Sequence, residues 1–586
     1  MASTRSHERN PDHVRSEELM TDPDLAFART GNESSVPAEP FMNIASALHT
    51  WGRTRPGRTA VRIDDTVLTY DGLDTATAAL AGGLLQLGVA KGERIVYLSA
   101  YRREVLLTVL ATYRLGAVNV VLNEYLKGDS LRHQLVDAAP SVIVVDSDGL
   151  SMLATLALDV PELRTVVVLD DGTSHPLPGV PFDLVAWSTV ASGPLLHELE
   201  LAGPDDPAQI VYTSGTTGLP KGCVLSQRYL LHQGEVFGPW SGLRDDDVYM
   251  SSAPLYHVSG IHVLTTGLIA GAEVVVVPRF SASAFWDRVR RYGVTAFHGL
   301  GFTTLALLGQ PPRDDDREHP LRFFWSGAAP HEAKEEFENR FGVRVIGGGY
   351  GQTEFNPVAM VQSDYPPGDR NSMGRPLDHV ELRLTDDSGN DVPDGEVGEI
   401  VLRPTRPGVM FTGYWRQPEA TLKTWRDLWH RTGDLARYDV TGNLQFAGRA
   451  NDSMRRRGEN VSAFQVEHAI SKFPAVREVA VFGVRIDTEV DDCIKADIVV
   501  HDRSSFTIEE FAEFVNVELP YYATPRFIEI VDALPRNASG RITKHTLNRS
   551  VTDSAVVDLH ESGLAVSRHA RRSAPAVRPD RDEQTT

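Results

Sequence analysis

The chain has 586 residues, a formal net charge of −21 at pH 7, 41% hydrophobic residues and two cysteines. That acidity excludes nucleic acid and an anionic membrane surface as partners, since both demand excess positive charge, and Cys223 and Cys493 are too few and too far apart for a disulfide framework or a sulfur-rich metal site. No run of about 18 apolar residues is present and the N-terminus has no apolar signal core, so the reading is of a cytoplasmic protein acting on a small-molecule acid or anion, with a homodimer as its candidate assembly.

A chain this long needs several cores. Residues 1–38 are polar and lack apolar periodicity, and they are expected to form a disordered tail, as are 551–586. Over 39–200, helical stretches at 73–87 and 103–115 alternate with the β-branched runs Arg94-Ile-Val-Tyr-Leu and Ser141-Val-Ile-Val-Val-Asp. Strand–helix alternation predicts a mostly parallel sheet covered by helices on both faces. The rhythm resumes over 201–377, with helices near 226–237 and 284–292 and the runs Glu273-Val-Val-Val-Val-Pro and Val294-Thr-Ala-Phe-His. Between 378 and 448, short alternating strands such as Val380-Glu-Leu-Arg-Leu and Gly398-Glu-Ile-Val-Leu-Arg are separated by Gly, Pro and Asp turns, which predicts a β-barrel-like module. The expected fold is therefore α/β: a large N-terminal domain over 39–450, made of two α/β subdomains and the β-rich module, then a small mobile α+β domain over 451–550.

The most informative stretch is Val211-Tyr-Thr-Ser-Gly-Thr-Thr-Gly-Leu-Pro-Lys-Gly222, with three glycines, four Ser or Thr hydroxyls and a lysine after an apolar segment. Closely spaced glycines let successive N–H groups turn toward one anion. Thr213, Ser214, Thr216 and Thr217 add hydroxyl donors around Gly215 and Gly218, and Lys221 adds a cation, which reads as a cradle for a nucleotide triphosphate. It is not a Walker A loop, because Pro220 stands where a glycine should precede the lysine. Only eight of the 58 basic residues are lysines, which makes Lys221 notable.

Four further clusters follow: Ser326-Gly-Ala-Ala-Pro330, Tyr350-Gly-Gln-Thr-Glu354, Arg431-Thr-Gly-Asp434 and Gly448-Arg-Ala-Asn-Asp452. In this order, over about 41–548, the chain resembles the ANL superfamily of adenylate-forming enzymes, which includes acyl-CoA synthetases, nonribosomal-peptide adenylation domains and beetle luciferases. Leu243-Arg-Asp-Asp-Asp-Val-Tyr249, Ser283-Ala-Phe-Trp286 and Arg457-Gly-Glu-Asn-Val-Ser462 are similar to its carnitine/crotonobetaine-CoA-ligase-like members. The resemblance implies ATP, Mg²⁺ and CoA. It places Thr213 and Glu354 at the metal, Asp434 and Arg449 at the ribose, and Gly327, Ala328 and Ala329 beside the adenine. Tyr350, in the turn Gly349 to Thr353 with Gly351 and Gln352, would stack on the purine. His257 would meet the acid's carboxylate, and Val258, Ser259, Gly299, Gly301, Phe302, Trp325, Gly348, Gly349 and Asn356 would line the acid pocket. Asn451 stands at the hinge of the C-terminal domain, and Arg455, Arg456, Gly458 and Glu459 stand where CoA approaches.

One departure matters. Where the family carries a lysine that clamps carboxylate and α-phosphate, this chain has Arg541, within Leu534-Pro-Arg-Asn-Ala-Ser-Gly-Arg541-Ile-Thr-Lys544. A planar guanidinium is no geometric copy of an ammonium. Three outcomes follow: Arg541 clamps, Lys544 swings in, or adenylation is slow or acts on an unusual anion. The leading functional reading is ATP-dependent activation of a small or aromatic carboxylic acid, releasing pyrophosphate and then AMP, with the acyl group passed to CoA. The alternative passes the activated group to an amine or carrier protein, including nitrite activation for diazotisation of an arylamine in secondary metabolism. A third reading is a non-catalytic nucleotide-binding scaffold.

Overall fold

A computed structural model describes residues 40–565, apart from short segments at 64, 157–158, 170–181, 200, 214–218, 328, 330, 362–371, 387, 450–452, 458, 487–488, 505, 536–541 and 543. Two largely parallel sheets carry the N-terminal part. The first runs Gly413–Tyr414, Lys221–Ser226, Pro207–Thr213, Val118–Val121, Arg94–Leu98, Val142–Val145, Thr165–Val168 and Asp183–Ala186, antiparallel only at its first two pairings. The second runs Arg344–Ile346, Phe323–Gly327, Ala296–Leu300, Val248–Ser251, Glu273–Val276, Thr59–Ile63 and Thr66–Thr69, with only the last pairing antiparallel. Strands buried on both faces read as unbroken β-branched runs, and Val142–Val145 is buried at every position.

The chain does not divide between these sheets at residue 200. Thr59–Ile63 joins the second sheet by pairing with Glu273–Val276, and Pro207–Thr213 joins the first through Val118–Val121. Strand–helix alternation predicts parallel strands but says nothing about which of two sheets each joins, and this corrects the expected subdomain boundary. Helix Val258–Ala270 is buried at nearly every position and closes at Gly271, whose φ of +73° suits the left-handed helix cap.

Antiparallel strands Val380–Thr385, Gly398–Pro404, Trp429–Tyr438, Trp425–Arg426 and Leu444–Arg449 make the β-rich module. The C-terminal part has a hairpin, Ser453–Arg456 with Glu459–Ser462, and a sheet of Val476–Val484, Cys493–Val500, Phe527–Ile530 and Val556–Asp558. Helices Ala463–Ile470 and Ile508–Glu518 pack on it, burying Val466, Ile470, Phe511 and Val515 with Val481 and Ile498. Strand Val556–Asp558 lies inside the stretch expected to be a tail. Its backbone pairs with Phe527–Ile530 and Leu559 is fully buried, so two valines and a leucine are enough to hold this end on the sheet.

Candidate active site

Strands Pro207–Thr213 and Lys221–Ser226 pair antiparallel, so the glycine-rich segment is the link of a hairpin whose register sets Thr213 opposite Lys221. Ser214, Gly215, Thr216, Thr217 and Gly218 fall outside the described residues. Lys221 Nζ lies 5.0 Å from the centroid of the Tyr414 ring, and the Tyr414 hydroxyl donates to Glu354 Oε1 at 2.7 Å. Burial, then the charge of Glu354, pushes the Tyr414 hydroxyl far above its ordinary pKa, so it remains a donor. Two bonds fix the turn that carries Glu354: Phe411 N–H donates to the Glu354 carbonyl at 2.7 Å, and the Tyr229 hydroxyl donates to the Thr353 carbonyl at 3.0 Å.

Buried Asp434 sits on strand Trp429–Tyr438. Its Oδ2 accepts from the Tyr350 hydroxyl at 2.8 Å and from Gln352 Nε2 at 2.6 Å, and Gln352 Nε2 also reaches the Thr432 carbonyl at 2.9 Å. Tyr350, expected as a stacking ring, thus orients the carboxylate through its hydroxyl. Arg449 is Asp434's partner in the strand register; its side chain lies outside the described residues. Gly327 closes strand Phe323–Gly327 and Ala329 is buried just beyond it; Ala328 is outside the described residues.

On the acid side, His257 caps helix Val258–Ala270. Its Nδ1 accepts from the Ser259 N–H at 3.2 Å and lies 2.7 Å from the Ser259 hydroxyl. Desolvation, then the nearby Arg455 charge, pushes its pKa down to about 4. With Nδ1 an acceptor, the neutral ring carries its proton on Nε2, so His257 offers an N–H donor rather than a cation. A cavity of about 370 Å³ opens beside it, lined among others by Ser99, Tyr256, His257, Ser259, His298, Gly299 and Thr303. A Cβ at Gly299 would overlap the Thr303 hydroxyl, which is why glycine stands there. A narrower crevice of about 110 Å³ shares Tyr256, His257 and Glu459 with this cavity and is also lined by Thr213 and Thr353. The crevice that reaches Thr213 and the larger cavity therefore meet at His257.

His257, Ser259 and Gly299 line the larger cavity as expected. Val258 is buried on the same helix and Gly301 opens helix Gly301–Leu308. Trp325 stacks on His298 with centroids 4.0 Å apart. Asn356 lies against Gly351, and Gly348, at φ +95°, and Gly349 lead into the Tyr350 strand. The Phe302 side chain is outside the described residues.

The hairpin Ser453–Ser462 reaches this cavity from the C-terminal part. Glu459 Oε1 accepts from the Tyr256 hydroxyl at 3.0 Å, and Arg457, at φ +53° in the turn, lines the cavity with its guanidinium 5.4 Å from the Tyr521 ring centroid. Asn123 Nδ2 donates to the Tyr522 hydroxyl at 3.1 Å, and the Tyr125 and Tyr521 rings meet edge-on at 5.1 Å, which holds the two parts together.

One expectation is corrected here. Arg456, placed by the sequence with the CoA-contacting residues, is buried and binds Glu489 at 2.9 Å inside the C-terminal part. Side chains alternate along strand Ser453–Arg456, so Arg455 does not share its direction, and Arg457 already lies in the turn. Lys544, one candidate for the clamping cation, here pairs through Nζ with Glu467 Oε1 at 2.8 Å. Arg541, Asn451 and Gly458 lie outside the described residues. Sequence reasoning missed Tyr256, Tyr414 and His298, and named Arg457 only as part of the 457–462 motif. Tyr256 immediately precedes His257, and that adjacency was the one signal available.

The family model described as "AMP-binding enzyme" matches residues 48–415, and "AMP-binding enzyme C-terminal domain" matches 465–541. The chain belongs to the AMP-binding enzyme family. Among curated relatives of this AMP-binding enzyme, the crotonobetaine/carnitine–CoA ligase of Salmonella typhimurium is 31% identical over 493 residues, covering 82% of this chain and 92% of the relative. The o-succinylbenzoate CoA synthetase of Bacillus subtilis has a similar structure, with TM-score 0.73 and 25% identity over 86% of this chain and 98% of that one. The amide bond synthetase McbA of Marinactinospora thermotolerans aligns at TM-score 0.74, 25% identity and the same coverage. The fold is the α/β one expected, with a large N-terminal and a smaller C-terminal domain, and the chain is an adenylate-forming acid:CoA ligase. No helix among the described residues is long and apolar enough to cross a membrane.

Proposed function

We propose that this AMP-binding enzyme activates a small or aromatic carboxylic acid as its acyl adenylate and passes the acyl group to CoA. The observation that carries the reading is the crevice joining Thr213 and Thr353 to His257 and Glu459. A carboxylate at His257 would lie where it can meet the α-phosphate of a nucleotide whose other phosphates rest at Lys221, which gives the in-line approach that phosphoryl chemistry needs. Asp434, oriented by Tyr350 and Gln352, suits the ribose hydroxyls, and Arg449, its register partner, would assist. The Mg²⁺ would sit at Glu354 with the Thr213 hydroxyl beside it. That donor set fits a small hard cation, because Mg²⁺ takes one or two carboxylates and completes its shell with phosphate oxygens and water. Bound there, it would neutralise charge on the phosphates.

His257 donates through Nε2–H to the incoming carboxylate, Lys221 balances the phosphates, and the Tyr414 hydroxyl holds Glu354 in place. Glu459 and Arg457 stand at the cavity mouth, where a thiol would approach the adenylate. Asn451 is the candidate hinge, and Arg541 is the cation proposed to clamp the carboxylate during the first step. Incubating the full chain with ATP, Mg²⁺, CoA and a panel of benzoates, cinnamates and short acids should give AMP and a thioester. AMP from none of them would overturn the reading.

The likeness to an amide bond synthetase favours a second reading in which an amine accepts the activated group. Supplying amines in place of CoA and looking for amide, or nitrite with an arylamine and looking for diazo product, separates the two.

A further inference from the structure

The larger cavity beside His257 takes its walls from the carboxyl ends of both parallel sheets, the place where open parallel sheets receive ligands. Tyr101 follows strand Arg94–Leu98 of the first sheet. Ser252 and Arg279 follow the adjacent strands Val248–Ser251 and Glu273–Val276 of the second, whose register sets Ser251 opposite Val276. All three side chains line the cavity. The Arg279 backbone is held from helix Ala282–Tyr292, where Arg288 Nη1 donates to its carbonyl at 3.3 Å.

Among the described residues nothing bonds to the Arg279 guanidinium, the Tyr101 hydroxyl or the Ser252 hydroxyl, and all three keep accessible surface. Four charged side chains line the cavity, and the other three are engaged. Glu459 accepts from Tyr256 at 3.0 Å, Arg457 lies 5.4 Å from the Tyr521 ring centroid, and Glu124 has a partner of its own. His257 is neutral, so Arg279 is the one cation of the wall that nothing in the protein balances. A half-buried charge calls for a counter-ion. Guanidinium offers a planar fork of donors that matches a carboxylate, and the two hydroxyls are further donors on the same wall.

Resting on the ligase reading above, we infer that the acid this enzyme activates carries a second anionic group, away from the carboxylate that is adenylated, and that Arg279 with the Tyr101 and Ser252 hydroxyls receives it. A dicarboxylic acid has that chemistry. A plain hydrocarbon end leaves all three groups unpaired. A quaternary ammonium end meets a like charge at Arg279, so the cavity selects against it. The phosphates of CoA are a poor match for Arg279: a thiol that reacts beside His257 leaves them at the far end of the pantetheine arm, outside a cavity of about 370 Å³.

The test is acid-dependent ATP–pyrophosphate exchange by the full-length protein with Mg²⁺ and no CoA. It compares terephthalate, isophthalate and adipate, each with its own monomethyl ester, alongside benzoate, hexanoate and crotonobetaine. At least one diacid should exceed its ester in kcat/KM by about tenfold or more, and crotonobetaine should be among the poorest. Arg279→Gln should lower that diacid's kcat/KM by about tenfold or more while its ester stays within about threefold, and Arg279→Lys, which keeps the charge and loses the fork, should fall between. Tyr101→Phe removes one hydroxyl and should raise the diacid's KM several-fold. Thermal melts establish that the variants fold, and Tyr101→Phe and Arg279→Lys keep the test open if Arg279→Gln does not. Equal use of diacid and ester, exchange confined to monoacids, preference for crotonobetaine, or a diacid-to-ester ratio unchanged in the folded variants overturns the inference while leaving the ligase reading intact. A raised KM for CoA in Arg279→Gln with that ratio unchanged overturns it in the same way and assigns Arg279 to CoA. Exchange with no acid at all overturns the ligase reading and this inference with it.

Discussion

The nucleotide half of the site and the C-terminal segment that approaches it are built differently. Around Glu354 and Asp434 each functional group is held by neighbours from a separate strand: Tyr414 and Lys221 on one side, Tyr350 and Gln352 on the other. The cations of the C-terminal part are instead largely bound within it, Arg456 to Glu489 and Lys544 to Glu467. Among the described residues, the C-terminal part lines the cavity with Arg457, Glu459 and Tyr521. The groups around Glu354 and Asp434 are held in place by neighbouring strands, whereas the C-terminal part keeps Arg456 and Lys544 in ion pairs of its own. A shared site that runs two half-reactions needs both properties.

This contrast can be broken at several points. The largest effect should come from Glu354→Gln or Lys221→Ala, each lowering the rate of adenylate formation by about 100-fold or more, as removal of a charge-stabilising group does; pyrophosphate release measures it, and a loss under threefold would remove these residues from the chemistry. Tyr256→Phe comes next. It removes the Glu459 hydrogen bond and should slow thioester formation by about tenfold, worth about 1.4 kcal/mol, with pyrophosphate release maintained.

Acid should act on the N-terminal part. Burial pushes His262 down to about 3 and His430 down to about 4, both below the ordinary 6.5, so the unfolded chain takes up protons first as pH falls. Their contribution to stability is complete above about pH 6.5 and is lost toward pH 4, at up to about 1.4 kcal/mol per pH unit for each. Denaturant midpoints at pH 7 and pH 5 read this directly, and a stability that does not fall would contradict the neutral burial of these rings. The smallest effect belongs to Lys544→Ala. A partly exposed pair with Glu467 is worth about 1 kcal/mol or less, so adenylation should stay within about threefold while Arg541→Ala slows it far more; equal losses would return Lys544 to the site.

Much of this was legible beforehand because motif residues lie on strand ends and turns that composition marks well. The runs at Arg94–Leu98 and Glu273–Val276 became strands where β-branching placed them. The assignment of strands to sheets was not legible, since Thr59–Ile63 pairs with a partner more than 200 residues away and nothing local encodes that. Within the site, Glu354 and Asp434 could be singled out as carboxylates in glycine turns. Tyr414 could not, because its role depends on a two-residue strand folding back on Lys221–Ser226. Arg456 was misplaced for a related reason: a basic run looks uniform in sequence, and only the pleat separates inward from outward side chains.

The most direct test follows one turnover in two signals. Full-length wild type and Glu459→Gln are mixed with ATP, Mg²⁺, CoA and the acid that supports the fastest adenylation, and pyrophosphate and thioester are quantified over time. The account predicts that the variant releases pyrophosphate at close to the wild-type rate while thioester lags by about tenfold and adenylate accumulates. Equal loss of both signals, or a thioester rate that the substitution leaves untouched, would contradict a division of the two steps between a fixed nucleotide site and the turn that carries Glu459.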